Sequence, residues 1–443
     1  MKDVKRLVYV IVCAVFFIGL YILSDFYAGE AVGKYASEIT SGGSPLNSSK
    51  KLTMDDLSIE NQIAEQQITS GSKEICLSFV GDITFESDQL DRYYNSDSQS
   101  FDFTNSFKYI QSYLKSSDIV SGNLEAVMAG PDENYEDVFD QYGTADFLYN
   151  APEIGAKNIS EAGISLLQTA NSHSADFGID GIKSTLRYLS EAGIKTVGTK
   201  NSTSDRGYTM ISVKGVKIAY VAYTNELNGS LDDSETYAVN TLDGYDSEKI
   251  EQMAADIQAA RQEGADFVTA MVYAGDAYNT EPDDDQKALF DALFDAGADI
   301  VVGTGPYGLQ PVEIRDLTGS DGTSRKGVAI YSLGTFLGSE VYDWSLVNND
   351  VSAVFDVIIS KEGSEKPTIT GIRLTPTCIT YTETDIFVLP AAQVKNNPSD
   401  FESIVDDTAN ERILSACDTI IPGLLENTEL TGSYSGNTYV INF

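Results

Sequence analysis

The chain has 443 residues, 42% of them hydrophobic and 10% aromatic, which is enough for a sizeable core and too apolar for a disordered protein. Asp and Glu number 67 against 29 Lys and Arg, a formal charge of -38. A surface of that sign repels nucleic acid and anionic lipid at long range, so no nucleic-acid partner is expected.

In chain order, "MKDVKR" (1–6) precedes "LVYVIVCAVFFIGLYIL", Leu7 to Leu23, a run without charge and slightly short of the ~20 residues of a membrane helix. Lys2, Lys5 and Arg6 lie before it and Asp25 and Glu30 after it, so the positive-inside rule places everything beyond outside the cytoplasm. The reading is a short cytoplasmic tail (1–6), a transmembrane signal-anchor (7–24) and a single-pass protein of the cell membrane. A cleaved signal peptide is the rival reading, with small residues around Ala28, although the apolar run is longer than a usual signal core. Residues 25–73 are polar and rich in Ser, Gly and Asn from Ser37 on, as in an extracytoplasmic stalk. Of four cysteines, Cys13 sits in the apolar run. Cys76, Cys378 and Cys417 allow one disulfide or none, and their spacing matches no metal site.

The folded part begins with "EICLSFVGD", a buried strand. Then follow "FTNSFKYIQSYLKSSD" as helix, "IVSGNLE" as strand, "APEIGAKNISEAG" as helix with Pro in its first turn, and "ISLLQTANS" as strand. "IDGIKSTLRYLSEAG" is a helix with Ile182, Leu186 and Leu189 on one stripe and Asp180 as its candidate N-cap. "GVKIAYVAYTNE", "DFVTAMVYAGD" and "DIVVGTG" are strands separated by the helices "DSEKIEQMAADIQAARQEG" and "DDDQKALFDALFDAG". After Pro306 come four strands, "PVEIRD", "GVAIYSLG", "VSAVFDVIIS" and "TITGIRLTPTCI", which suggest a second sheet of their own. The expected class is α/β, with two mixed sheets packed face to face and helices flanking them. The main domain is 74–390. Residues 391–443 form an extension with an amphipathic helix near "FESIVDDTANERILSAC" and an unassigned Gly/Ser/Tyr-rich end.

Polar residues recur where strands stop: Asp82, Asn123 and Glu125, Asn171 with His173 and Asp176, Asn225 and Glu226, then Asp276. In open α/β folds the site lies beyond the carboxyl ends of the strands, and carboxylates, an amide oxygen and an imidazole at one rim suit a divalent cation. Each residue alone has an ordinary role, since Asx side chains close turns and cap helices. His173 is the single histidine of the chain.

These motifs resemble the CapA family of poly-γ-glutamate capsule proteins, whose domain is similar to the calcineurin-like metallophosphoesterases. The matching stretches are "GDIT" (Gly81–Thr84), "NLE" (Asn123–Glu125), "NSHSADFGIDG" (Asn171–Gly181), "YAGDAY" (Tyr273–Tyr278) with Pro282 and Gln286, "GTGPYGLQP" (Gly303–Pro311) and "SLGTF" (Ser332–Phe336). The resemblance runs from about Ile75 to Ile379. It implies metal-ligand positions at Asp82, Glu125, Asn171 and His173. It also implies imidazoles at four positions where this chain has Tyr273, Thr304, Gly305 and Tyr307. Ala277 and Thr335 likewise replace a glutamate and an asparagine of the pattern.

A two-metal hydrolase needs ligands for two ions about 3.5–4 Å apart, and this set is depleted. The remainder suits one divalent cation, manganese, magnesium or calcium, or no ion. Three readings of His173 stand: a ligand with Asp82 and Asn171, a rim residue oriented by Asp176, or a packing residue. Three functions follow. The first is a membrane-anchored extracytoplasmic protein with an eroded site and little catalysis. It would assist synthesis, export or anchoring of an envelope polymer such as poly-γ-glutamate, through capsule-synthesis membrane proteins or the anionic polymer itself. The second is a hydrolase of phosphoester or amide bonds using one ion held by Asp82, Asn171 and His173, with Glu125 or Asp276 as ligand or base, or alternatively with His173 as proton donor to the leaving group. The third is a sugar- or peptide-binding module using Tyr273, Tyr278 and Tyr307.

Overall fold

The structure is a computed structural model that describes residues 72–131, 148–319, 322–339, 348–363, 365–426 and 428–443. The expected transmembrane signal-anchor (7–24) and nearly all of the expected stalk (25–73) lie outside these residues. Among the described residues no helix is long and apolar enough to cross a membrane.

Two sheets form the body. The first contains β1 (Ser72–Ile83), β2 (Ile119–Leu124), β3 (Leu166–Gln168) and β4 (Lys195–Val197). The second contains β5 (Tyr208–Val213), β6 (Val216–Thr224), β7 (Phe267–Tyr273), β8 (Ile300–Thr304), β9 (Val312–Thr318) and β10 (Ser324–Ile330). The chain then returns to the first sheet with β11 (Thr335–Leu337), β12 (Val351–Glu362), β13 (Thr368–Tyr381) and β14 (Ile386–Pro390), and ends there with β15 (Thr431–Ser435) and β16 (Thr438–Asn442). The first sheet runs β15-β16-β13-β12-β1-β2-β3-β4, with β11 beside β1 and β14 beside β13; the second runs β9-β10-β8-β7-β6-β5. Strands β1 to β4 are mutually parallel, as are β6, β7, β8 and β10, while β5 and β9 of the second sheet and β12 to β16 of the first pair antiparallel. Both sheets are mixed, and their parallel centres come from helix-bearing crossovers.

The strands after Pro306 do not form a sheet of their own. β9 and β10 extend the second sheet, whereas β11 to β14 extend the first. Apolar patterning marks a strand as buried but carries no information about its partner, which non-local pairing decides.

Alternation along β1 explains the layering. Ile75, Leu77 and Phe79 face a core shared with Ile218 and Tyr220 of β6, Met271 of β7 and Ile300 of β8, so the sheets pack face to face. Val80 and Ile83 point to the other side, where Ala156 and Ile159 of α2 (Ile154–Ala162) and Leu189 of α3 (Gly178–Glu191) cover them. The outer face of the second sheet is closed by Met253 and Ile257 of α4 (Ser247–Gln262) and Leu289, Phe290 and Leu293 of α5 (Asp284–Ala296). Each such side chain contributes about 1.5–3 kcal/mol on burial.

Local signals set the helix ends. Asp246 caps α4 by accepting the Glu248 and Lys249 N–H groups, and Asp283 caps α5 through Gln286. Gly163 and Gly297 end α2 and α5 at φ 113° each, in the left-handed region that glycine enters without strain. Three details differ from expectation. Asp180 lies inside the first turn of α3, whose N-cap is Phe177. Pro152 precedes α2 and is not in its first turn. "FTNSFKYIQSYLKSSD" breaks into a 3₁₀ turn (Thr104–Phe107), at whose start Asp102 accepts the Thr104 N–H and hydroxyl, and a short helix (Gln111–Leu114). The C-terminal extension contributes a helix, Asp407–Ser415, whose Ile413 enters the inter-sheet core, and the β15–β16 hairpin, which pairs with β13.

Candidate functional site

The site is built at the carboxyl ends of β1, β2, β3, β7 and β8. Pairing of β1 with β2 slips between Phe79 and Asp82, an irregularity of the kind that re-aims a side chain. Gly81 allows this: a Cβ there would lie 1.8 Å from the Gly334 carbonyl oxygen, the same oxygen that accepts the Asp82 N–H at 2.9 Å. Asn123 and Glu125, two residues apart on extended chain, present their side chains to one face. The Asn123 Nδ2 donates to Asp82 Oδ1 (2.7 Å), and its Oδ1 accepts from Asn171 Nδ2 (3.1 Å). Asn171 Nδ2 also donates to the Leu124 carbonyl (2.6 Å), and its Oδ1 accepts the His173 N–H (3.1 Å). The Asx residue after β3 thus both closes its own turn and joins the cluster.

Glu125 is the hub. Its Oε1 accepts from the Tyr273 hydroxyl (2.7 Å), the Tyr307 hydroxyl (3.0 Å) and Ser172 Oγ (3.3 Å). The two phenol oxygens are 2.9 Å apart, and Ser172 Oγ lies 3.1 Å from that of Tyr273. Tyr307 is held at φ 60° and Tyr278 at φ 65°, with their rings 5.5 Å apart and the Tyr278 N–H on the Pro306 carbonyl. Left-handed backbone is unusual for so bulky a residue and costs about 1–3 kcal/mol. That strain places the Tyr307 hydroxyl over Glu125.

Asp82 is 0% exposed, Thr304 1% and Glu125 2%, so burial dominates their electrostatics. Desolvation pushes the Asp82 carboxyl up from 3.8 to about 7, against hydrogen bonds from Asn123, Gly305 and Thr304 that pull it down. Glu125 is raised well above the carboxylate range, first by burial and then by the charge of Asp82. Tyr273 and Tyr307 are raised as well, by burial and then by Glu125, so both remain neutral phenols.

His173 takes no part in this hub. Its Nδ1 lies 2.7 Å from Asp176 Oδ2, which also accepts the Tyr149 N–H (2.7 Å), and its ring rests against that of Tyr149 with centroids 5.1 Å apart. Nε2 lies 3.4 Å from Asn228 Nδ2. The structure brings Asp82, Glu125 and Asn171 together and places His173 beside them on a separate Asp176-anchored arm. Asp276 stays outside: it is exposed in the turn after β7, and its charge bears on Glu226 and Tyr245.

These residues do not fit a two-metal hydrolytic centre. Glu125 Oε1 faces three hydroxyls, both asparagine amide oxygens are occupied, and the His173 nitrogens face Asp176 and Asn228. Glu125 Oε2 is left without a partner, on one of two carboxyls that burial drives toward neutrality. Asp82 and Asn171 are linked through Asn123, and the His173 ring nitrogens face Asp176 and Asn228. Among the described residues no three His, Cys, Asp or Glu side chains are grouped to hold an ion. Sequence reasoning left Asn123 out of the site, although its place two residues before Glu125 puts it on the same face. It also counted Tyr273 and Tyr307 as losses, whereas both phenols are built into the cluster.

The geometry defines a two-sheet α/β protein with a buried carboxylate–hydroxyl cluster at its strand ends. The chain belongs to the family of bacterial capsule synthesis proteins called PGA_cap, whose model matches residues 76–340. It is 30% identical over 281 residues to the capsule biosynthesis protein CapA of Bacillus anthracis, covering 60% of this chain and 64% of that protein, less than two thirds of its length. To the PGA biosynthesis protein CapA of Bacillus subtilis (strain 168) it is 28% identical over 299 residues, covering 67% and 71%. Among solved structures, the calcineurin-like phosphoesterase YfkN from Bacillus subtilis is similar at 13% identity and a TM-score of 0.39, covering 80% of this chain and 99% of that one.

Proposed function

We propose that this protein is a membrane-anchored, extracytoplasmic CapA-like factor that assists synthesis, export or anchoring of a capsular or envelope polymer such as poly-γ-glutamate, with its ancestral metal centre converted to a neutral structural cluster. The observation that carries this reading is the convergence of three hydroxyls on Glu125 Oε1, two of them supplied by tyrosines at positions where the family pattern has histidine. A phenol that stays protonated is a hydrogen-bond donor and a poor ligand, so the cluster cannot generate metal-bound hydroxide. A chain of charge -38 repels a polyanion that approaches within about 8 Å, the screening length at physiological salt, which favours action through membrane partners over direct grip on the polymer.

The test is complementation in the host. Deleting the gene is expected to lower surface polymer, and His173→Ala is expected to restore it as well as the native gene does. Phosphoester and amide substrates supplied with manganese are expected to show no turnover by the full chain. Turnover that vanishes in His173→Ala, together with failed complementation, supports the hydrolase reading instead.

A further inference from the structure

A second site lies where the two sheets meet at their edges. The loop from β4 to β5 roofs a cleft of about 390 Å³, within the ~300–1,000 Å³ of small-molecule sites, and it shares no residue with the carboxylate cluster. Its walls carry the hydroxyls of Thr196, Thr199, Ser204 and Thr209 and the amide of Asn201, with Leu186 as apolar floor and Tyr208 as the aromatic ring.

These groups are held in place from behind. Thr209 Oγ1 donates to the Thr196 carbonyl (2.6 Å), and Thr199 Oγ1 pairs with Thr169 Oγ1 (2.6 Å). Glu263 grips both the Tyr208 hydroxyl and the Arg206 guanidinium, each at 2.6 Å. The lining's two charges are already engaged: Arg206 by Glu263, and Asp205 by the Asn201 and Ser202 N–H groups and the Ser202 hydroxyl. An ionic ligand finds no spare counter-charge here, and a polyanion is further opposed by the chain's net charge. What remains for a ligand is the Asn201 amide, which both donates and accepts, the Thr196 hydroxyl, and the acceptor lone pairs of hydroxyls whose protons are already placed, around one ring and one apolar patch. A sugar offers hydroxyls at its edge and C–H groups on its face, the complement of such a surface.

We propose that this cleft binds an uncharged saccharide unit, which gives the protein a glycan contact separate from the strand-end cluster. The test is calorimetric titration of the full chain with N-acetylglucosamine trimer and with maltotriose. At least one is expected to bind saturably, with affinity falling at least tenfold in Asn201→Ala and in Thr199→Val at unchanged melting temperature. Absence of saturable binding to either trimer, binding indifferent to both cleft variants, or tighter binding of a galacturonate trimer overturns the proposal. None of those outcomes touches the proposed function, which rests on other residues.

Discussion

Asp82→Asn is expected to abolish much of the loss of stability that the folded domain undergoes between acid and mildly alkaline pH. The sign follows from the raised carboxyl. Below about 3.8 Asp82 is protonated in both folded and unfolded chains. Between 3.8 and about 7 only the unfolded chain releases its proton, so the contribution present at low pH is lost progressively and is gone above about 7. The interval corresponds to roughly 4 kcal/mol. Glu125 acts in the same direction, and removing the Asp82 charge also eases the second cause of its shift. An asparagine keeps an oxygen in place to accept from Asn123 Nδ2. Melting temperatures at pH 5 and pH 8 check this: the native chain is expected to lose several degrees more than the variant, and equal losses would show that Asp82 is already charged in the fold.

Gly81→Ala is expected to be the most damaging small substitution near the site. Its Cβ would fall 1.8 Å from a backbone carbonyl oxygen, with Gly334 and Leu333 as the neighbours, so no side-chain rotation relieves the clash. The bulge would have to open, breaking the Asp82 N–H bond to Gly334 and shifting Asp82 from Asn123. A loss of at least ~3 kcal/mol follows, at the upper end of overpacking costs. Denaturant unfolding measures it. A variant within experimental error of the native chain would mean that the β1–β11 contact is looser than drawn.

Much of the architecture was legible because it is local. Period-2 and period-3.6 patterns and the Ala-Gly ends of α2 and α5 located the helix–strand units. The division of the late strands between two sheets was not, since Val312–Thr318 and Val351–Glu362 read alike as buried strands and differ only in distant partners. Within the site, strand-end positions pointed to Asp82, Glu125 and Asn171. They also pointed to Asp276, but the turn at Gly275, φ 104°, carries that carboxylate outward, and no periodicity encodes it. The largest gap concerns Tyr273 and Tyr307. A substitution pattern shows what a position has lost, and only the fold shows that a phenol ending one strand and a phenol in the turn after the next meet on one carboxylate oxygen.

Elemental analysis of the purified full chain is the most direct test of that cluster, run beside a Tyr273→His/Thr304→His/Tyr307→His variant after both are exposed to zinc and manganese. The native chain is expected to carry no stoichiometric ion and the variant to gain one. Two tightly held ions per native chain would contradict the neutral cluster and restore a metal centre to these strand ends.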